Sequence, residues 1–327
     1  MKAIVLTQYG PPELLQFTDV PTPVPADDQV LVKIHSAAAN SLDWRIMRAK
    51  PIVVRLFMGL LKPRQGSLGS DFAGTVETVG KNVTEFQAGD EVFGARGFAG
   101  GAFAEYLCAT EAQLARKPAG VSFAEAAAVP VAALTALQGL RDKGLICPGQ
   151  QVLIEGASGG VGTYAVQLAR YFGAEVTAVC STRNVETARS LGAGRVIDYT
   201  RDDVPKGSCD LVFGANAHRS SSEYRRWLKP GGVCVIAGGK ATLSGMVLDA
   251  LLIPLFFKIA HKRFCSVLTR VEKSDLLLLK ELMEAGKIRS VLDRIYPLSE
   301  TAEALRYMEE GHARGKVIVA VTETGSG

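Results

Sequence analysis

Gly156, Gly159 and Gly162, with a fourth glycine at Gly160, follow the short apolar run Val152 to Ile154. Glycine lets a backbone turn tightly and lie close against a large anion. G-x-x-G-x-x-G behind a strand is therefore chemistry for holding a pyrophosphate. Ser158 adds a hydroxyl inside the turn. Val161, Ala165, Leu168 and Phe172 then recur at helical spacing, so a helix starts where the glycines end. Its first N–H groups and positive dipole end would face the anion. A glycine triplet alone also fits a bare turn or a methyltransferase fold. A second strand, Glu175 to Val179, comes one crossover helix later and ends in Cys180-Ser181-Thr182-Arg183-Asn184. That is where a dinucleotide site reads the adenosine ribose, usually with Asp or Glu for NAD. Here Ser181, Thr182 and Arg183 offer two hydroxyls and a permanent cation, which suits the 2′-phosphate of NADPH. The plain alternative is that Arg183 begins the next helix in solvent.

The elements that must position these residues come in two textures. Residues 1–121 hold short β-rich runs broken by Pro11-Pro12, the Pro21 to Pro25 tract and Gly74, Gly80, Gly89 and Gly94. That pattern predicts a small irregular barrel, with the apolar interlude at 46–61 as a helix or lid over it. Ser122 and Glu125 form a capping box before an alanine-rich helical run to Leu145 that Pro130 breaks. Strand signals at 151–155, 175–179, 195–197, 210–213, 233–237 and 264–268 then alternate with helices. This predicts an α/β protein with a parallel doubly wound sheet. Beyond 272 the elements do not extend that sheet.

With 327 residues, 47% of them hydrophobic, the chain can build two cores. The net charge of +4 comes from interspersed signs, and no basic cluster is interleaved with aromatics, so nucleic-acid binding has no support. Six scattered cysteines without C-x-x-C spacing read as reduced thiols. With no leader before the first strand, they predict a cytoplasmic protein. The apolar stretch 245–260 contains Asp249, Pro254 and Lys258 and is too short to span a bilayer. It reads as a buried or subunit-facing helix, with peripheral membrane contact as the alternative.

Several segments together carry a family resemblance. They are Gly89-Asp90-Glu91-Val92, Gly100 to Tyr106, Ala133-Leu134-Thr135-Ala136, the glycine turn, Val196-Ile197-Asp198-Tyr199 and the ending Gly311 to Val317. In order and over essentially the whole chain, they resemble the medium-chain dehydrogenase/reductase superfamily, in its quinone oxidoreductase branch. The resemblance implies a GroES-like catalytic domain from residues 1–121 and 272–327. A Rossmann NADP-binding domain, 122–271, would lie between, with substrate in the cleft facing the nicotinamide. It also implies a homodimer. For the cofactor it implies roles for Thr135 near the nicotinamide, Gly238 after the fifth strand, and Tyr199 beside the adenosine phosphate. A surface tyrosine is the alternative for Tyr199. Relatives carry Asp-x-x-Gly after the fourth strand, whereas Phe213 to His218 departs from that pattern.

Zinc enzymes of this superfamily carry a cysteine where this chain has Asn40 and a histidine where it has Ser70. The four-cysteine structural lobe is absent, and none of His35, His218, His261 and His312 pairs at ligand spacing. The expectation is a zinc-free reductase with no metal site. Asn40 and Asp43 match the N-x-x-D of that branch. Asn40 would donate an amide hydrogen bond to a substrate carbonyl, with Asp43 holding Asn40 or nearby backbone. Loop-fixing Asx hydrogen bonds are the alternative. Trp44-Arg45-Ile46 provides no tyrosine proton donor, so water would supply the proton. The expected activity is NADPH-dependent reduction of quinones or α,β-unsaturated carbonyls. The alternative is a non-catalytic NADPH-binding sensor or scaffold.

Overall fold

Runs of β-branched and aromatic residues become strands wherever glycine or proline bounds them. The computed structural model describes residues 1–52, 54–63, 66–216, 219–238 and 253–322. The first strands are β1 (Lys2–Leu6), β2 (Leu15–Asp19), β3 (Gln29–Ala39), β4 (Asp71–Val79), β5 (Glu91–Ala95), β6 (Tyr106–Thr110) and β7 (Leu114–Arg116). Next come β8 (Gln151–Glu155), β9 (Glu175–Cys180), β10 (Arg195–Asp198), β11 (Cys209–Gly214), β12 (Leu228–Ala237) and β13 (Arg263–Val267). The last are β14 (Leu292–Pro297) and β15 (Lys316–Ala320). The helices that matter most are α1 (Ser41–Arg48), α2 (Val54–Met58), α3 (Phe123–Ala127), α4 (Pro130–Gln138) and α5 (Gly160–Tyr171). Contacts divide the chain into one unit of Met1–Leu134 with Arg270–Gly327 and a second of Thr135–Thr269.

In the first unit a sheet runs β14-β15-β3-β4-β5-β7, with β6 also paired to β3. Strand β3 is buried along most of its length and supplies the core with Val30, Val32 and Ile34. Strand β4 can lie against the bulge in β3 because residue 74 is glycine. An added Cβ there would sit 2.1 Å from the Lys33 carbonyl oxygen. The register pairs Ala38 with Asp71 and Ala39 with Val317. The end of β3 and the starts of β4 and β15 therefore meet. As the resemblance implied, the end of the chain returns to the N-terminal strands.

Helix α3 opens as its sequence predicts: the Glu125 N–H donates to Ser122 Oγ at 3.2 Å and the Ser122 N–H to Glu125 Oε2 at 3.0 Å. Its buried face, Ala126 and Ala127, packs on β3 and β4. The first unit therefore continues past residue 121 and through Leu134. Pro130 breaks the alanine-rich run by starting α4.

The second unit is a parallel sheet in the order β10-β9-β8-β11-β12-β13, at the positions the sequence predicts. Helix α5 crosses from β8 to β9. In the 245–260 stretch, residues 245–252 lie outside the described residues. Beyond them Ile253–Ile259 is helical and packs on β13, with Ile253 and Phe257 buried. Among the described residues no helix is long and apolar enough to cross a membrane.

The start of α5 lies against the turn before it so closely that a Cβ on Gly162 would stand 2.0 Å from the Gly156 carbonyl oxygen. Gly162→Ala is therefore expected to destabilise the protein by about 1–3 kcal/mol, read as a lowered midpoint in urea or thermal melts. A variant as stable as the parent would show that this contact does not constrain the fold.

Candidate active site

The three strand ends of the first unit deliver Asn40, Asp71 and Lys316 to one buried place, and α1 adds Asp43. Lys316 Nζ donates to Asn40 Oδ1 at 2.6 Å and to Asp71 Oδ2 at 3.2 Å. Asn40 Nδ2 donates to Asp71 Oδ2 at 3.0 Å and to the Ala38 carbonyl at 3.2 Å. The other Asp71 oxygen accepts from the Val131 N–H at 3.0 Å, near the start of α4. Asp43 takes the Asn40 N–H at 2.7 Å on one oxygen and the Gly69 N–H at 3.0 Å on the other.

This geometry corrects one expectation. Both Asn40 amide hydrogens are committed inside the protein, and its oxygen holds a cation, so Asn40 has no donor left for a substrate carbonyl. Asp43 does what the sequence predicts and holds Asn40 and neighbouring backbone. The hydroxyl left over is Ser70 Oγ, buried without a hydrogen-bond partner beside Asp71.

Charge in this cluster is unbalanced. Lys316 pairs with Asp71, which leaves Asp43 as a second buried carboxyl. Burial pushes Asp43 up to about 7; its two backbone N–H donors oppose this, and the Asp71 charge adds to it. Burial also raises Asp71, while the Lys316 ammonium beside it pulls the other way. His35 lies apart from the cluster and is structural. Its ring nitrogens meet the Thr322 and Thr75 hydroxyls at 3.2 and 3.0 Å, and it stacks on Phe123. His218 lies outside the described residues. Among the described residues no group of three His, Cys, Asp or Glu side chains could hold a metal ion.

In the second unit Gly156 adopts φ +73°, a conformation side chains disfavour, and Gly159 caps α5 with no side chain of its own. The leading N–H groups of α5, from Gly160, Val161 and Gly162, have no acceptor within the helix, the feature that suits helix starts to anions. A turn with no room for a Cβ at Gly156 or Gly162 leads into this helix start, which suits a pyrophosphate. Asn216, from the atypical loop after β11, places Nδ2 2.7 Å from where a Gly156 Cβ would lie. The departure from the family pattern marks this loop but assigns Asn216 no role; Ala217 and His218 lie outside the described residues.

The tail of β9 is more committed than its sequence implied. Ser158 Oγ and Ser181 Oγ both accept from Asn184 Nδ2, at 3.0 and 3.2 Å. Thr182 donates its hydroxyl to Asp198 at 2.5 Å, and Thr200 holds the other Asp198 oxygen. Thr182 therefore has no proton left for a phosphate. Its hydrogen bond is the first of the causes that hold the Asp198 carboxyl below its usual range. Arg183 is exposed and free of these contacts. Tyr199 is half exposed under the Arg219 guanidinium, 5.6 Å from its ring centre. Thr135 and Thr269, the first and last residues of the unit, share a hydrogen bond of 2.6 Å. Gly238, at φ +81°, follows β12 directly.

Comparison with known proteins gives this geometry its family. Residues 26–119 match the alcohol dehydrogenase GroES-like domain, and residues 191–319 match the zinc-binding dehydrogenase model. The chain is 34% identical to the chloroplastic quinone-oxidoreductase QR1 of Triphysaria versicolor, with 98% of each covered. It is 35% identical to the 2-methylene-furan-3-one reductase of Solanum lycopersicum, over 98% of this chain and 79% of that one. A quinone oxidoreductase structure from Coxiella burnetii superposes with a TM-score of 0.88 at 32% identity, covering 98% of this chain and 99% of that one. The chain belongs to the medium-chain dehydrogenase/reductase superfamily. It is an oxidoreductase of the quinone oxidoreductase-like branch, with the GroES-like and Rossmann folds that its sequence resembles.

In this dehydrogenase/reductase the residues at the zinc enzymes' cysteine and histidine positions are Asn40 and Ser70, and the cation beside them is the Lys316 ammonium. Lys316 lies within the family-like ending Gly311 to Val317, and no local pattern places it beside Asp71.

Two predictions follow from the buried charges. Lys316→Met leaves Asp71 without its cation and is expected to lower stability by about 3–5 kcal/mol, measured by urea unfolding. Adding Asp71→Asn should recover much of that loss, and additive effects of the two changes would contradict the pairing.

The pH dependence comes from Asp43. Its folded pKa, about 7, lies above the ordinary 3.8, so the folded state holds this proton more tightly. Asp43 therefore favours folding below pH 3.8, and that contribution is lost as pH rises through about 7. The loss amounts to at most about 4 kcal/mol. The stability of wild type relative to Asp43→Asn should fall over that window. A difference that stays flat with pH would contradict the shift.

Proposed function

We propose that this oxidoreductase uses NADPH, without zinc, to reduce quinones or α,β-unsaturated carbonyl compounds. The observation that carries this reading is the Asn40–Asp71–Lys316 cluster, in which an ammonium stands beside the positions that hold ligands in the zinc enzymes. Alcohol oxidation needs the hydroxyl proton removed, which a metal eases by lowering its pKa. A conjugated carbonyl or quinone makes a smaller demand, because charge arriving on carbon spreads to oxygen. Bound at the glycine turn, the nicotinamide cofactor supplies the hydride.

The chain's own residues bind and orient. The N–H groups at the start of α5 hold the pyrophosphate. Arg183, exposed and uncommitted, pairs with the 2′-phosphate, while Thr182 and Thr200 keep Asp198 engaged. The unengaged hydroxyl of Ser70 donates to the substrate oxygen, taking the place first assigned to Asn40. Asn40 and Asp43 act by positioning, and water returns the proton to carbon or oxygen. The tomato relative's name supports a conjugated ketone as substrate, and the QR1 and Coxiella names support a quinone.

The test is cofactor oxidation in the presence of a chelator, with quinones, 2-alkenals, enones and primary alcohols compared side by side. Quinone or enone reduction with NADPH preferred over NADH is expected, with little alcohol oxidation. Arg183→Ala should weaken NADPH binding roughly ten- to a hundredfold, the value of one charge-assisted contact. Ser70→Ala should lower turnover roughly a hundredfold and leave NADPH affinity unchanged. Chelator-sensitive alcohol oxidation, or equal use of both cofactors, would reject the proposal.

A further inference from the structure

Between Asp43 and Asp71 the sequence carries six cations, Arg45, Arg48, Lys50, Arg55, Lys62 and Arg64, and no acidic residue. The structure makes this stretch an excursion closed at its base, where the Gly69 N–H meets Asp43. Its inner side is anchored. Tyr9 donates its hydroxyl to the Gly59 carbonyl at 2.8 Å, the Gly10 N–H reaches the Met47 carbonyl at 2.9 Å, and Arg48 pairs with Glu309. Ile46, Met47 and Met58 are buried there.

The outer side is apolar and uncovered. Ile52 is 64% exposed, Leu56 63%, Leu60 63% and Leu61 92%. Leu56 lies on the short helix α2, and Ile52 and Leu60 lie just before and just after it. Lys50 and Lys62 flank them, both exposed and without an ion pair among the described residues. An apolar patch of this kind, rimmed by charge, marks an interaction surface.

A second copy of the chain is a poor occupant. A two-fold axis through the middle of the patch would bring Lys50 of one copy towards Lys62 of the other, like charge against like. An anionic bilayer fits both features, with apolar side chains entering the acyl boundary and lysines meeting lipid phosphates. We propose that Ile52, Leu56, Leu60 and Leu61 dock this protein on anionic lipid surfaces, with Lys50 and Lys62 as the charged rim. This stands independently of the proposed substrate and cofactor.

Co-sedimentation of the full chain with phosphatidylglycerol-containing vesicles and with phosphatidylcholine vesicles tests it, with folding checked by thermal melts. Wild type should bind the anionic vesicles, more weakly in high salt, and the neutral ones little. Lys50→Glu with Lys62→Glu should lower binding roughly tenfold or more, as should Leu60→Ser with Leu61→Ser. Leu277→Ser, an exposed leucine elsewhere, should not. No binding to anionic vesicles, equal binding to both kinds, or wild-type binding by both double variants would overturn the proposal. So would dissociation of a wild-type dimer in sedimentation velocity by these same variants, which would assign the patch to a second copy.

Discussion

A lysine ammonium buried beside an aspartate and an asparagine is the interaction on which the first unit depends. Isolated charges in an apolar interior are costly, so each of these groups requires the others. Lys316 reaches Asn40 across 276 residues of sequence and Asp71 across 245. The last strand is therefore more than a cover for the sheet. Without it Asp71 would keep only the Asn40 amide and the Val131 N–H, and burial would favour its neutral form. The unit is assembled from both ends of the chain, and a fully buried ion pair joins those ends.

The second unit reaches its binding surface by the opposite route, through missing side chains. Gly156 and Gly162 bring α5 and its preceding turn into backbone contact, and Gly159 leaves the start of the helix uncovered. Polar side chains nearby mostly bind one another. Asn184 ties Ser158 to Ser181, and Asp198 draws in Thr182 and Thr200. Such internal satisfaction fixes the shape of this edge and leaves Arg183 exposed and outside these contacts. An anion such as Asp198 would repel phosphate if it were open. With Thr182 and Thr200 on its oxygens, it serves as a strut.

These contrasts explain what could be read from the sequence. Parallel strands and crossover helices follow from local periodicity, and the six strands of the second unit lie where their apolar runs predicted. The glycine turn was legible because its requirement is local: a positive φ at Gly156 and no room for a Cβ at Gly162. The polar cluster was legible only in part. Asn40 and Asp43 share a helix start, and their mutual hydrogen bond spans three residues. Lys316 comes beside them only through the register of β15 on β3, which no local pattern encodes. Asn40 therefore reads locally as a free donor, because the partners that occupy it are set by tertiary pairing. The same holds for Thr182, whose acceptor lies on the neighbouring strand.

An ammonium and a metal ion at such a place differ in more than charge. A catalytic zinc keeps a coordination position open and stabilises an alkoxide directly. The Lys316 ammonium directs hydrogens at Asn40 Oδ1 and Asp71 Oδ2, and Asp71 largely cancels its field. Asp43 then leaves a surplus acid whose ionisation is already resisted near neutral pH. A localised alkoxide would meet neutral or negative surroundings there and be disfavoured. A delocalised enolate or hydroquinone anion places less charge on any one oxygen and needs fewer donors. On the proposed reading the substrate must therefore carry its own electrophilicity, a demand that quinones and conjugated carbonyls meet and simple alcohols do not.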